Sequence, residues 1–286
     1  MFRVERATSD DFERIYPLLR QGFGSAIPEQ IWKRIFVPPW NSPETFCGYS
    51  LLENEVVKGY LGLIFSSRVI DERVEKFCNM TSWYVRDDCR SHSLALLLEA
   101  LKLKDYTFTN FTASPTVATI LSRLGFTEFP VHQQVLFPLP HLRGTPRRWV
   151  CDFDSQVSTI QLTQTDGIIF ADHQGLDCRH VLLKSNDAYC YLVLKKTRRK
   201  WLPFAKVHYL SHAEHFIAGI ESVMVQVCRR LRVLGIMVDE RYLKGHKFKT
   251  GIRYPHQRRA YFKSSSSALS FNQIDTLYSE LVLLHS

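Results

Sequence analysis

Residues 82–98 hold the side chains whose types and spacing point most clearly to chemistry. A strand rich in aromatic and β-branched residues ends at Val85, and the chain then turns directly into an apolar helix. The first N–H groups of a helix have no partner within it, and together with the helix dipole they attract anions. Arg90 adds a positive charge, and three small residues would let a phosphate approach the backbone: Ser91, Ser93 and Ala95. The segment therefore predicts an anion site.

Alternating strands and helices must position this segment. Apolar spacing and turn residues predict strands at residues 2–6, 49–52, 60–65, 76–85 and 106–112. They predict four helices: one that begins near Thr8 or Ser9, one that ends at Pro38, one that spans 94–103 and one that runs from Pro115 to Gly125.

The second half repeats this order with little residue identity. A hairpin at 180–194, a strand at 206–210, a helix at 216–231 and a strand at 235–239 follow one another. Such repetition indicates a duplicated α/β unit. The linker is the Pro-, Gly- and Arg-rich stretch 138–148, which places the boundary near Thr145. The expected domains are therefore residues 1–145 and 146–286.

Five features follow one another in the first half: a strand, the V-x-x-x-x-R-x-x-S-x-A pattern from Val85 to Ala95, a helix, a further strand and the final Leu124-Gly125-Phe126. This series resembles the acyl-CoA N-acyltransferase (GNAT) superfamily. That resemblance implies two tandem GNAT-like α/β units, each a mixed twisted β-sheet flanked by helices. It also implies that acetyl-CoA or another acyl-CoA is the co-substrate, with its pyrophosphate on the loop. The implied coenzyme-binding residues are Val85, Arg90, Ser91, His92, Ser93, Leu94 and Ala95. Ser93 stands where the family has its first glycine.

The same resemblance implies a reaction site between the strands on either side of the 94–103 helix. The tyrosine that often protonates the leaving thiolate falls on Leu121, so Ser114, Tyr84 or water would take that role. For a base, strand 77–82 offers no carboxylate. Its polar residues are Asn79 and Thr81, Glu75 lies at its start, and His92 is more simply a solvated turn residue. The aromatic residues Trp32, Phe36, Trp40 and Phe46 could wall an acceptor pocket or form core.

The second half lacks the helix-start motif. Glu214 stands where an anion would bind, so residues 146–286 are expected to be a degenerate repeat that is structural or covers the acceptor site. The histidines His208, His212 and His215 lack the spacing of a structural metal site, and no metal is expected.

Charge is concentrated in the second half. Residues 1–150 carry 18 basic and 16 acidic residues, whereas residues 151–286 carry 19 and 12, which gives most of the net charge of +9. The basic stretches are 195–200, expected to be a hairpin turn, and 244–263, which contains no acid. They suit an anionic acceptor, and because no nucleic-acid-binding motif is present, nucleic acid is the less favoured partner.

The spacing of cysteines and the length of apolar runs indicate the cellular compartment of the protein. The seven cysteines form no C-x-x-C pair, and neither a signal peptide nor an apolar run of spanning length occurs. The sequence therefore predicts reduced thiols, a cytoplasmic protein and no membrane partner.

The expected function is transfer of an acetyl or longer acyl group from acyl-CoA to an amine of a small molecule, such as a sugar or an amino acid. The alternatives are a non-catalytic GNAT-like binding or scaffold protein and, third, a nucleic-acid-binding module. Acyl-chain length, the acceptor and the oligomeric state stay open.

Overall fold

Two seven-stranded mixed sheets organise the chain in a computed structural model. The structure describes residues 1–129, 132–138, 149–159, 162–255, 259–264 and 269–284. The first unit comprises the described residues within Met1–Phe129, Arg258–Gln273 and Tyr278–Leu284, and the second those within Pro130–Gln257 and Ile274–Leu277. The expected boundary near Thr145 lies outside the described residues.

The first unit follows the order of elements that its sequence predicts. Its strands are β1 (Phe2–Ala7), β2 (Gly48–Glu53), β3 (Val56–Ile70), β4 (Arg73–Val85), β5 (Thr107–Ala113) and β6 (Thr127–Glu128). Its helices are α1 (Phe12–Phe23), α2 (Glu29–Phe36), α3 (Ser93–Ala100) and α4 (Pro115–Arg123). Thr8 and Asp11 form a capping box ahead of α1. Helix α3 ends three residues before the predicted Leu103.

Apolar side chains of α3 and α4 fix these helices to the first sheet. Leu96, Leu97 and Leu121 are fully buried in one cluster with strand residues such as Cys78 and Met80. Burial of each such side chain stabilises the fold by roughly 1.5–3 kcal/mol. The start of α3 is therefore held firmly at the end of β4.

The second unit repeats this order of strands with fewer α-helices. Its helices are α5 (Gln164–His173) and α6 (Ala213–Leu231). Its strands are β7 (His132–Leu136), β8 (Val150–Phe153), β9 (Cys178–Lys184), β10 (Tyr189–Arg199), β11 (Leu202–Leu210), β12 (Ile236–Asp239) and β13 (Gly251–Pro255). Strand β14 (Arg259–Lys263) and helix α7 (Glu280–Leu283) follow in the sequence and belong to the first unit. Residues on α6, among them Phe216, Ile220 and Val227, form a core with the sheet.

Each sheet takes one strand from the other half of the sequence. The first has the order β1-β2-β3-β4-β5-β14-β6 and the second β8-β9-β10-β11-β12-β7-β13. Strand β14 lies antiparallel between β5 and β6, and β7 lies antiparallel between β12 and β13. The two sheets thus share one topology, with an exchanged strand at the same place in each.

Other sequence expectations concern thiols and membrane crossing. All seven cysteines lie in the described part of the chain, where they are buried and form no disulfide. None of the helices in the described part of the chain combines the length and apolar character needed to cross a bilayer.

Candidate active site

Strands β4 and β5 separate after a short parallel ladder. Their Cα pairing runs from Phe77–Thr107 to Asn79–Thr109 and ends there, although β4 continues to Val85 and β5 to Ala113. Beyond the ladder, the Asn110 side chain donates to the Met80 carbonyl at 2.9 Å. Beyond Asn79 and Thr109 no backbone ladder joins the two strands, and we call the stretch between them, toward the start of α3, the β4–β5 gap.

A β-bulge interrupts β4 beside this gap. Thr81 pairs with Gly62 and Tyr84 with Tyr60, so two residues of β4 oppose one of β3. Ser82 within the bulge has a φ of 52°, a conformation that a residue with a side chain seldom adopts. A bulge leaves backbone groups outside the ladder and is frequent beside active sites.

A buried carboxylate lies against both strands at the gap. Asn79 Nδ2 of β4 donates to Glu280 Oε2 at 2.5 Å, and Thr112 Oγ1 of β5 donates to Glu280 Oε1 at 2.8 Å. Thr109 Oγ1 donates to Asn79 Oδ1 at 3.1 Å and so orients that amide. Glu280 is 3% exposed. Burial of a carboxylate is costly unless it is hydrogen-bonded, and these two donors lower that cost.

The C-terminal segment is anchored on the first unit around Glu280. Ser279 is fully buried and caps α7 by accepting a hydrogen bond from the Leu281 N–H. The rings of Tyr278 and Trp40 meet edge to face at 5.0 Å, and Trp40 Nε1 donates to the Phe65 carbonyl at 2.9 Å. The Tyr278 contact and the Ser279 cap therefore hold the backbone around Glu280 in place.

The predicted anion loop is more helical than the sequence suggested. A 3₁₀ helix spans Asp87–His92 between β4 and α3. The Cys89 N–H donates to the Arg86 carbonyl, and the Ser93 N–H donates to the Arg90 carbonyl. Two amides expected to be available are thus used within the turn, because the acidic residues Asp87 and Asp88 favour a helical start there.

Cations and acids are paired at the same loop. Arg90 contacts Asp87 at 2.7 Å, and Asp88 lies 3.4 Å from Arg86 and 3.9 Å from Lys58. Desolvation alone would raise the pKa of Asp88, but the charge of Arg86, a hydrogen bond with Cys89 and the charge of Lys58 together lower the pKa. An incoming phosphate would therefore have to replace acids that these cations already contact.

The other predicted coenzyme residues occupy the same strand-to-helix connection. Val85 is buried at the end of β4, and Ser91 is exposed. Ser93 and Ala95 are half-buried in the first turn of α3, and Leu94 is exposed. The exposed His92 ring stacks on Phe2 at 4.0 Å between ring centroids.

The two predicted proton donors lie one on each wall of the gap. Ser114 follows β5, and its side chain caps α4 by accepting from the Val117 N–H at 3.3 Å. Tyr84 is on β4 with its ring against Gly22 of α1, where an added Cβ would lie 2.4 Å from the ring. Leu121 is fully buried in the core, so it leaves the corresponding position of α4 without an acid.

The other residues weighed as a base or as pocket walls lie on the β3–β4 hairpin, at the bulge and in the core. Glu75 pairs with Arg68 on the β3–β4 hairpin and lines a cavity of about 260 Å³ near its turn. Thr81 is buried at the bulge. The four aromatic residues are at most 5% exposed, as core residues are: Trp32, Phe36, Trp40 and Phe46.

The second unit presents different groups at the equivalent helix start. His212 precedes α6 without making a side-chain cap, and Glu214 in its first turn contacts Lys244 at 2.9 Å. His208 contacts Thr276, and His215 contacts the Tyr189 carbonyl. In the part of the chain that the structure describes, no group of three or more His, Cys, Asp or Glu side chains is placed to hold a metal.

The sequence reasoning missed Glu280. It lies 201 residues from Asn79, and only a short buried segment near the C-terminus surrounds it. Its one local signal is the Ser279-Glu280 pair before an apolar turn, which predicts a helix cap and indicates nothing about a site in another part of the fold.

No known family model matches the sequence, and no curated protein matches it. Several solved structures match the structure of this chain. A GCN5-related N-acetyltransferase from Anabaena variabilis has a TM-score of 0.62 at 8% identity, over 92% of this chain and 72% of that one. One from Kribbella flavida has a TM-score of 0.59 at 12% identity, over 92% and 70%. The glucosamine N-acetyltransferase region of a fungal GH3 β-N-acetylglucosaminidase has a TM-score of 0.58 at 10% identity, over 92% and 38%.

These likenesses show the fold. The chain has the fold of the GCN5-related N-acetyltransferases, which confirms the predicted fold class of two GNAT-like units.

Proposed function

We propose that this protein is an N-acyltransferase that moves an acyl group from acyl-CoA to the amine of a small molecule at the gap between β4 and β5. The observation that carries the proposal is the buried carboxylate of Glu280, hydrogen-bonded to Asn79 on one wall and Thr112 on the other. A general base must lie within hydrogen-bond reach of the proton it takes. Glu280 would be within that reach of an amine bound between these strands.

The residues of the gap fit the acyl end of the donor. Acyl-CoA supplies a thioester carbon that an amine can attack. The bulge at Ser82 offers backbone groups outside the ladder to stabilise the carbonyl oxygen as it gains charge. Glu280 would accept the proton that the amine loses as the new C–N bond forms and the C–S bond breaks. Ser114, Tyr84 or water would protonate the departing thiolate, which can also leave unprotonated because thiols are moderately acidic.

At the pyrophosphate end of the donor, phosphate groups would have to replace acids as the partners of the loop's cations. Arg90, Arg86 and Lys58 supply three cations near the start of α3, and each contacts Asp87 or Asp88. Phosphate groups would take over these cations through charge-assisted hydrogen bonds. We therefore assign the pyrophosphate to this loop, with Arg90 as its main cation.

Calorimetric titration with acetyl-CoA and longer acyl-CoAs tests the donor. Binding should weaken in an Arg90→Glu variant and persist in Lys104→Glu, which changes charge equally beyond the other end of α3. Failure of the parent protein to bind any of these acyl-CoAs would overturn the proposal.

A second candidate is a GNAT-like protein that binds acyl-CoA without catalysis. It is favoured by the absence of an acid at Leu121 and by the capping role of Ser114. Release of free thiol from acyl-CoA, measured with a panel of amino acids and amino sugars as acceptors, separates the two candidates. Glucosamine belongs in the panel because one structural neighbour is a glucosamine N-acetyltransferase region. Acyl-CoA binding without thiol release from any amine would favour the non-catalytic protein.

A further inference from the structure

The β10–β11 hairpin of the second unit ends in an exposed tryptophan. Its two turn residues, Lys200 and Trp201, have φ of 44° and 70°, and Arg199 pairs with Leu202 across them. Trp201 is 90% exposed and Leu202 50%. Two positive φ values suit the turn that joins twisted strands, but glycine or asparagine adopts them with least strain. Backbone preference therefore does not explain a tryptophan here.

Three cations close to this turn are exposed: Lys196, Arg198 and Lys200. Among the residues that the structure describes, no acid forms an ion pair with these three. By contrast, Arg253 in the other basic stretch contacts Glu240 at 3.0 Å, and Lys244 contacts Glu214 at 2.9 Å. Acids from elsewhere thus neutralise part of the positive charge of 244–263, whereas no described acid does so for the three hairpin cations.

A neighbouring loop adds to the same surface. The Leu234 N–H donates to the Pro203 carbonyl at 2.9 Å, which places the loop after α6 beside the hairpin. Leu234 is 44% exposed, and Arg232 is also exposed. We call this the hairpin surface, and it comprises Lys196, Arg198, Lys200, Trp201, Leu202, Arg232 and Leu234.

The first unit shows that the fold does not require these residue types. Its β3–β4 hairpin has the same topological position and a turn of the same geometry, with φ of 48° at Asp71 and 64° at Glu72. There the turn is acidic, and in the second unit it is basic and aromatic. Formation of the hairpin therefore does not require the basic and aromatic residues of the second turn, and we attribute them to what that surface binds.

We propose that the hairpin surface binds an anionic lipid surface, with Trp201 and Leu202 in the headgroup region and the cations on lipid phosphates. Tryptophan favours the membrane–water interface, and basic residues near apolar ones strengthen binding to anionic lipids. Single-stranded nucleic acid would use the tryptophan by stacking but would leave Leu202 and Leu234 without an apolar environment. The combination of aliphatic and aromatic side chains with unpaired cations therefore favours lipid. This inference is independent of the proposed acyl transfer.

Co-sedimentation with vesicles tests the proposal on the whole protein. Vesicles of phosphatidylcholine mixed with phosphatidylserine should bind it, and vesicles of phosphatidylcholine alone should bind it much more weakly. Each cation near an anionic membrane is worth about 1 kcal/mol, or about fivefold. A K196Q/R198Q/K200Q variant should therefore bind about a hundredfold more weakly, whereas K247Q/K249Q, which changes two exposed lysines elsewhere in the unit, should bind within about threefold of the parent.

Fluorescence reports the apolar contact. The other tryptophans are buried or half-buried, so a blue shift on vesicle addition should come from Trp201. A Trp201→Phe variant should still bind but lose most of the shift, and Trp201→Ser should lose both. Val74→Ser, at an exposed position beside the β3–β4 turn, should change neither. Absence of vesicle binding overturns the proposal, and binding to a labelled oligonucleotide without vesicle binding replaces lipid by nucleic acid.

Discussion

Asn79 Nδ2 and Glu280 Oε2 lie 2.5 Å apart although 201 residues separate them in the chain. The contact brings a carboxylate from the C-terminal segment to the last residue of the β4–β5 ladder. Strand β4 itself carries no carboxylate at this point, so the fold supplies one from elsewhere. The function of the gap can therefore be tested through a residue far from every motif in the first half of the sequence.

The first prediction concerns Glu280→Gln. If Glu280 is the general base, the substitution should lower kcat by about a hundred- to ten-thousandfold, the usual range for such a group. Because glutamine has the same shape, the affinity for acyl-CoA measured by calorimetry should change little. Glu280→Asp should retain part of the activity, since it keeps an ionisable carboxyl.

Activity measured beside stability separates catalysis from anchoring. With Glu280 as the base, E280Q should lose kcat under conditions in which urea denaturation shows it to be as fully folded as the parent. E72Q, which removes an exposed carboxylate at the β3–β4 turn of the same unit, should behave as the parent. An E280Q variant with normal kcat and reduced stability would show that the carboxylate only anchors the C-terminal segment.

Local signals predicted much of the first unit. The Thr8 and Asp11 cap and the polar turn residues at 53–55 depend on neighbours in sequence, and these elements lie where the sequence places them. The helix after Val85 was also predicted, but Asp87 and Asp88 start a 3₁₀ turn that uses amides expected to be available. A pattern of small residues indicates room for a ligand, whereas the acids at the turn decide how its backbone hydrogen bonds are used.

Long-range pairing could not be predicted. Strands β7 and β14 are five residues each, and nothing in so short a segment states which sheet it joins. Their exchange depends on antiparallel partners a hundred or more residues distant, such as Ile236 for Leu136 and Phe108 for Lys263. The same holds for Glu280, whose partners on β4 and β5 are set by the fold. The sequence thus predicted a site between these strands but gave no sign of the carboxylate that the fold brings to them.

The second prediction concerns the charges of the anion loop. Arg90→Glu should weaken acyl-CoA binding about ten- to hundredfold, since a hydrogen bond to a charged group is worth roughly 1.5–3 kcal/mol. Asp87→Asn with Asp88→Asn should act in the opposite direction. Loss of negative charge at a helix start should strengthen binding about two- to fivefold.

Calorimetry at low and moderate salt measures both variants, and their opposite signs make the test specific. An anion on these cations predicts that added salt weakens binding in all three proteins. If the asparagine variant binds no tighter than the parent, the pyrophosphate does not lie near Asp87 and Asp88.

The third prediction concerns a buried ion pair in the second unit. Arg241 Nη2 lies 2.7 Å from Asp239 Oδ2, with side chains 6% and 11% exposed, and Arg241 Nη1 donates to the Ile274 carbonyl at 3.0 Å. Removing one partner leaves the other charge buried, so Arg241→Ala should lower the free energy of unfolding by about 3–5 kcal/mol. Arg179→Ala, in the exposed pair with Asp154, should cost at most about 1 kcal/mol. Urea denaturation of both variants gives the comparison, and equal costs would contradict it.

The fourth prediction concerns acid stability and His180. Its Nδ1 lies 2.7 Å from the Tyr191 hydroxyl, and burial lowers the pKa of His180 to about 4. Because the ordinary pKa is about 6.5, the unfolded chain binds a proton between these values that the folded chain does not. Stability should therefore be fully present above about pH 6.5 and fall by about 3 kcal/mol as the pH falls to about 4.

Burial also lowers the pKa of His173 and acts in the same direction. His180→Gln keeps a polar group beside Tyr191 but cannot titrate, so its free energy of unfolding should depend less steeply on pH between about 6.5 and 4. The remaining slope would come from His173 and other groups. Urea denaturation of both proteins across this pH range measures the slopes, and an H180Q slope equal to that of the parent would show that His180 is protonated as readily in the folded chain as in the unfolded one.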